Sequence, residues 1–285
     1  MKEYTINDIS VMSVQFIQYS FRYYLESMKK CGINGIDFWG AEPHYYNHGD
    51  EKSKERLIEI KDLIDEYGMH VVVYTPETIA YPYSYSHPNE IVRDKTVEYM
   101  MRAIDDAKFL SCKQVFLNSG CGLRDLDREE SFERLINSVK RIAMYAESQG
   151  VTLLLEQLQP YESNLVISLP DVKRVVDTVN SDALKVCVDV VAMEVANETL
   201  TDYFEMLGKE KISLIHFSDA HHYILGEGET KLPLVEYLQE LSRNDYDGYI
   251  DLEINDSIYW LDPYDSIAKS KKWLDDNLHK SLSSE

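Results

Sequence analysis

Eight short runs rich in Val, Ile and Leu recur along the chain, and each is followed by a longer stretch of helical character. The runs are VMSVQF (11–16), GIDFW (35–39), HVVVYT (70–75), QVFLN (114–118), VTLLLE (151–156), LKVCVD (184–189), ISLIHF (212–217) and YIDLEI (249–254). They show little apolar–polar alternation, the pattern of parallel strands covered on both faces. Between them, Leu135, Val139, Ile142, Ala143 and Ala146 fall on one helical face within 131–149, as do Val97, Met100, Met101 and Ile104 within 93–110. Gly32, Gly68 and Gly150 each stand shortly before the next run, where a helix ends on a left-handed residue. Eight strand–helix units predict an α/β fold, a (β/α)8 TIM barrel spanning 1–285 as one domain. A doubly wound open sheet ranks second, because no G-x-G-x-x-G follows a strand.

Bulk properties narrow the function classes. The 285 residues are 44% hydrophobic, ample for one barrel-sized core, and no Pro/Gly/Ser-rich linker divides them. A formal charge of −21 argues against nucleic acid or an anionic membrane face as partner. Cys31, Cys112, Cys121 and Cys187 form no CxxC pair and read as reduced thiols, mostly core fillers. The first residues, MKEYTINDISVMSVQF, lack a basic region followed by a long apolar run, and no stretch approaches the roughly 18 apolar residues of a membrane span. The expectation is a soluble cytoplasmic protein.

In such a barrel, chemistry gathers at the C-terminal strand ends. The fifth run ends on Glu156, the sixth on Asp189, the seventh reaches His216 with Asp219 close behind, and the eighth carries Glu253. Consecutive barrel strands are neighbours, so these four side chains can converge. Three carboxylates gathered together repel unless a cation sits among them. Oxygen ligands with one imidazole suit one divalent ion of the Mn2+, Co2+, Zn2+ or Mg2+ kind. Such an ion would chelate a ketone and its neighbouring hydroxyl and acidify the C–H between them. Glu156 and Glu253, on opposite sides, are then the expected base and acid of an epimerisation through an enediolate.

Other residues are candidates for substrate contact. The loop after the second run, WGAEPHYYNH, brings Trp39, His44 and Tyr45 to the same rim, and Tyr74 stands at the third strand end. An aromatic floor with a polar His suits a sugar. The segment TPETIAYPYSYSH (75–87) has the aromatic, proline-bearing character of a lid, with a simple structured loop the equal alternative. Of the pair His221 and His222, the second is expected to line the pocket rather than bind a second metal. LGEGET (225–230) lacks the Lys and following helix of a phosphate loop.

These blocks resemble the sugar isomerase/epimerase barrels related to xylose isomerase and D-tagatose 3-epimerase. LLLEQLQPYE (153–162) is similar to that family's fifth-strand motif, a metal-binding Glu with a substrate-contacting Glu six residues on. DFWGAEPH (37–44), VYTPETIAYPY (73–83), LEQLQPYESN (155–164), VDVVA (188–192), YFEMLG (203–208), HYILGEG (222–228) and GYIDLE (248–253) resemble its fructoselysine-type branch. The resemblance implies Glu156, Asp189, His216 and Glu253 as metal ligands, Glu156 and Glu253 as the catalytic pair, Glu162 as a substrate contact, and a homo-oligomer. Tagatose-type members carry a substrate-binding His where this chain has Ala192, and an Arg where it has His222. A ketose–amine conjugate is therefore the expected small-molecule substrate ahead of a free ketohexose.

The alternative is a ketose or sugar-phosphate isomerase or 3-epimerase sharing the same chemistry. The rim motifs are poor in Lys and Arg, which counts against a phosphate. An endonuclease-type hydrolase on this barrel would need extra His at the third and fourth strand ends, where Tyr74 and Asn118 stand. A non-catalytic sugar-binding protein would not need two carboxylates placed around a metal.

Overall fold

The computed structural model of the chain describes residues 1–79, 82–228 and 231–282. Eight parallel strands close in sequence order into a barrel. They are β1 (Ile9–Met12), β2 (Gly35–Gly40), β3 (His70–Pro76), β4 (Gln114–Asn118), β5 (Thr152–Glu156), β6 (Leu184–Asp189), β7 (Ile212–Phe217) and β8 (Tyr249–Leu252). The ring is sealed where β8 pairs with β1, Ile250 opposite Ile9 and Leu252 opposite Val11.

The outer layer contains α1 (Phe21–Cys31), α2 (Glu51–Tyr67), α3 (Glu90–Phe109), α4 (Arg128–Gln149), α5 (Leu169–Val179), α6 (Val190–Val195), α7 (Leu200–Leu207), α8 (Leu234–Arg243) and α9 (Pro263–Asn277). Local chemistry starts and stops them. The side chains of Ser20, Asp50, Asp127 and Ser168 accept first-turn backbone N–H groups. Gly32, Gly68 and Gly150 end α1, α2 and α4 at φ 68°, as their spacing predicts. The apolar face foreseen on α4 is buried throughout, from Leu135 to Ala146. On α3, Val97, Met100 and Ile104 are buried and Met101 is partly so.

Strand alternation divides most of the apolar residues into two bodies, beside a small third cluster of Met12, Val14 and Trp39. The larger fills the space between strands and helices. The smaller, Val72, Val73, Phe116, Leu154, Cys187 and Leu214, plugs the barrel interior beneath the C-terminal mouth. Among the described residues, no helix is long and apolar enough to cross a membrane.

Two strands, β1 and β8, stop before the C-terminal ends of their apolar runs. The first run breaks after Met12, and Ser13–Phe16 form a 3-10 turn. There Ser13 Oγ accepts the Trp39 backbone N–H at 2.9 Å, so a side chain replaces the ladder partner. Because β1 stops, β8 has no partner on that side beyond Leu252, and Glu253 lies one residue past the strand. Within the expected lid, Ala80 and Tyr81 lie outside the described residues, as do Glu229 and Thr230 of LGEGET. The far end of that lid segment is anchored: Tyr85 is fully buried, its hydroxyl donates to Thr78 Oγ1, and its carbonyl accepts from Ser138 Oγ.

Candidate active site

Period-two alternation carries a second set of residues inward, one step beyond the apolar plug. Leu154 is followed by Glu156 on β5, Cys187 by Asp189 on β6, and Leu214 by His216 on β7. Register sets their height: Glu156 lies opposite Asn118 and Cys187, and Asp189 opposite His216. The mouth thus presents three acids and one imidazole where four strands end.

His216 is fully buried, and Phe116 stacks on its ring at 5.5 Å and 19°. Its Nδ1 stands 2.6 Å from Glu156 Oε1 and 3.0 Å from Glu253 Oε2. Neither contact has hydrogen-bond geometry, and among the described residues both ring nitrogens lack a hydrogen-bond partner. Glu253 Oε2 in turn lies 3.6 Å from His222 Nε2, which is 3.4 Å from Asp189 Oδ2. Asp189 doubles as the N-cap of α6: its two oxygens accept the Val191 and Ala192 N–H groups at 2.9 and 3.0 Å. Single atoms of Glu156, Cys187 and His216 fall within 4.8 Å of one another, and so do those of Asp189, His222 and Glu253.

The electrostatics follow from this crowding. Burial raises the Glu156 carboxyl to about 8 against the pull of His216. Burial also opposes charge on His216, but Cys187, Glu253 and Glu156 together raise it well above the usual imidazole range. The same contest at His222 is won by Asp189 and Glu253, which raise it to about 10. Burial works against Asp189 too, yet His222 and His216 hold its carboxyl below the usual range. The acids and the two imidazoles thus shift one another in opposite directions, as opposite charges held close together do.

The residues present fit a divalent metal. Glu156, Asp189, Glu253 and His216 offer a mostly oxygen donor set, and the buried Nδ1 faces two carboxylates without hydrogen-bonding either.

A cavity of about 390 Å³ opens above the cluster, lined by Glu156, Asp189, Glu253, Glu162, His221 and His222 together with Gln157, Gln159, Tyr161, Asn255 and Asp256. A smaller one of about 90 Å³ adjoins it, with Trp39, Phe116, Met12 and Val14 on its walls. Glu156 and Glu253 line both. Glu162 is held at the rim, accepting from Gln159 N at 2.9 Å, and burial raises its carboxyl above the usual range. Trp39 donates its indole N–H to Glu77 Oε2 at 3.1 Å.

His222 reaches the cluster because of its backbone. Asp219 and Tyr223 exchange both backbone hydrogen bonds, at 3.0 and 3.2 Å, closing a tight turn. His221 and His222 occupy it at φ 64° and 58°, a left-handed conformation uncommon for residues with a Cβ.

Three of the anticipated rim residues are not brought to either cavity: Tyr45 is fully buried, stacked on Phe38 at 6.2 Å with its hydroxyl donating to Asp106 Oδ2 at 3.2 Å, and His44 and Tyr74 also turn away. His44 is buried under Trp39, ring edge to face at 6.1 Å, with Nε2 bonded to the Phe16 carbonyl at 3.2 Å. It fixes the loop after β2 instead of facing the mouth, and burial lowers it to about 4. Tyr74 alternates with the inward Val73 and so faces the helical layer, fully buried and stacked on Phe38 at 5.6 Å. Its direction follows from the pleat. Conversely, Gln157, Gln159, Asn255 and Asp256 escaped the sequence reading, because they sit in loops whose course only the fold determines. Two further inward acids, Asp37 and Asp251, carried a usable signal: each stands two residues before an inward residue at the mouth, Trp39 and Glu253.

The sequence matches the xylose isomerase-like TIM barrel over residues 25–277. The chain belongs to that family. It is 32% identical over 243 residues to fructoselysine 3-epimerase of Shigella flexneri, covering 84% of this chain and 85% of that one. Such relatives place the chain in the isomerase class of the family. Solved structures share the fold: a D-tagatose 3-epimerase-like protein superposes with a TM-score of 0.79 at 21% identity, covering 95% of this chain and 96% of the other. The IOLI protein, solved with a binding zinc atom, shares the fold at a TM-score of 0.75 and 15% identity, covering 97% of this chain and 99% of that one.

Proposed function

We propose that this protein is a metal-dependent sugar epimerase that inverts C3 of a ketose or, preferentially, of a ketose–amine such as fructoselysine. The observation that carries the reading is the placement of Glu156 and Glu253 around one point. Both carboxylates flank His216 Nδ1, at 2.6 and 3.0 Å, and both line the two halves of the cavity. A substrate carbon seated in the cavity beside that nitrogen lies within reach of both carboxylates.

Glu156, Asp189, His216 and Glu253 would hold one divalent ion of the Mn2+, Co2+, Zn2+ or Mg2+ kind, which polarises the substrate ketone and acidifies the adjacent C–H. Glu156 removes the C3 proton on one face, and Glu253 delivers one to the opposite face. Return from the other side inverts the centre. For the reverse reaction the two exchange roles. Glu162 accepts hydrogen bonds from substrate groups at the rim, and Trp39 with Phe116 packs against the sugar's apolar face in the smaller cavity.

Charge supports an amine-bearing substrate over a phosphorylated one. Glu162 and Asp256 face the larger cavity, and no Lys or Arg is among its described lining residues. At the rim a phosphate would meet the like charge of Glu162 and Asp256 with no Lys or Arg beside them among the described lining residues, whereas an ammonium group would be paired.

The test is deuterium exchange in D2O with Mn2+-loaded enzyme and fructoselysine, D-fructose and D-psicose. The reading expects deuterium at C3, fastest with fructoselysine, and its loss in Glu156→Gln and Glu253→Gln. Exchange at the wild-type rate in both variants would overturn the acid–base assignment. Turnover of a sugar phosphate ahead of all three would overturn the substrate class.

A further inference from the structure

Beneath the cavity floor, the barrel interior holds a polar cluster to which epimerisation gives no role. Asp37 on β2 and Asp251 on β8 are both fully buried. Asp37 Oδ1 accepts from Thr75 Oγ1 at 2.6 Å, and Asp251 Oδ1 accepts from Ser10 Oγ at 2.5 Å. Among the described residues each keeps its Oδ2 without a partner, and so does His216 Nε2, the ring nitrogen remote from the cavity. One atom each of Asp37, His216 and Asp251 lies within 4.8 Å of the others, and Nε2 is 3.8 Å from Asp37 Oδ2.

Two carboxylates in a barrel core are costly to bury, and their neighbours in that interior, Val73, Phe116, Leu154 and Leu214, show what would otherwise fill the space. Their position relative to the imidazole explains them. An imidazole that gives its Nδ1 lone pair to a cation carries its proton on Nε2. Here that N–H points away from the cavity, into a fully buried layer where two carboxylate oxygens are left as acceptors. The Phe116 stack already fixes the plane of the ring, leaving rotation within that plane to be fixed.

We infer that Asp37 and Asp251 are positioning residues for His216: they hold its Nε2–H and thereby aim Nδ1 at the cation between Glu156 and Glu253. The inference rests on the metal-dependent reading above. Asp37 is the direct acceptor, since a movement of roughly 1 Å brings its oxygen to N–H···O distance. Thr75 and Ser10 each restrain one oxygen of the two carboxylates, so the other is left for the ring. Neither acid lines either cavity, so neither touches substrate.

Co2+ binding to the metal-free full-length protein tests this, by calorimetry and by the visible absorption of the bound ion. Asp37→Ala is expected to weaken Co2+ by roughly 10–100-fold, and Asp251→Ala by less. Asp37→Asn, which keeps an acceptor oxygen, should recover part of the loss. A second measurement needs no variant. In the 15N spectrum of the wild-type protein, the imidazole whose Nδ1 resonance moves on Zn2+ binding should show a protonated Nε2. Wild-type affinity in both Ala variants, or a Zn2+-ligating Nε2, overturns the inference while leaving the metal site standing. A wild-type protein that binds no Co2+ removes the metal reading itself, and this inference with it.

Discussion

Loading the metal-free protein with Mn2+ should expel protons, and the number follows from the site. Burial raises Glu156 to about 8. At pH 7 that carboxyl is roughly nine-tenths protonated, and ionising it costs about 1.4 kcal/mol, or tenfold in affinity. Each further unit of acidity costs another factor of about ten. The sign is fixed by direction: a carboxyl raised above its usual value must release its proton to become a ligand, so affinity rises with pH up to about 8. His216, likewise raised, adds to the release because Nδ1 must be free of a proton to bind. Calorimetry at pH 7 in two buffers of different ionisation enthalpy should count between one and two protons released per Mn2+. The logarithm of the affinity should climb by one to two per pH unit between 6 and 7. Glu156→Gln removes one proton from that count and weakens binding. An affinity flat from pH 6 to 8, with no buffer dependence, would refute the argument, because it would mean that the ligands are already ionised in the metal-free fold.

Three further outcomes are expected. Because burial lowers His44 to about 4 against an ordinary 6.5, the unfolded chain takes up its proton first; stability is full above pH 6.5 and falls by about 3 kcal/mol as the pH drops to 4. Urea unfolding across that range should show a shallower loss in His44→Gln. Tyr74→Phe, which removes a buried hydroxyl that has no partner among the described residues, should raise stability by about 1 kcal/mol and leave turnover unchanged; a fall in turnover would return Tyr74 to the site. Glu162→Gln should raise the KM for fructoselysine about tenfold while barely moving that for D-psicose, since only the first carries an ammonium group for the carboxylate to pair with; equal effects on both would exclude the charge argument.

Much of the site was readable because barrel geometry converts sequence position into place. Glu156 and Asp189 end apolar strand runs and His216 sits within one, and parallel neighbouring strands bring such residues to one rim. His44 and Tyr74 misled for the same reason in reverse. Proximity along the chain to a strand end does not say which way a side chain points, and the pleat turned Tyr74 outward while the loop packed His44 under Trp39. His222 was expected in the pocket. The sequence carries no sign of the left-handed turn that brings it within 3.4 Å of Asp189.

The sequence alone determines the eight-fold alternation, the glycine stops and the succession of Glu156, Asp189, His216 and Glu253, because strand and helix periods are properties of neighbouring residues. Tertiary structure alone decides what lies behind those four residues. Asp37 and Asp251 meet beneath His216 although 214 residues separate them (251 − 37), and only barrel closure at β1 and β8 brings the two together. A contact of that kind is a consequence of ring closure, and ring closure is not written in any single segment.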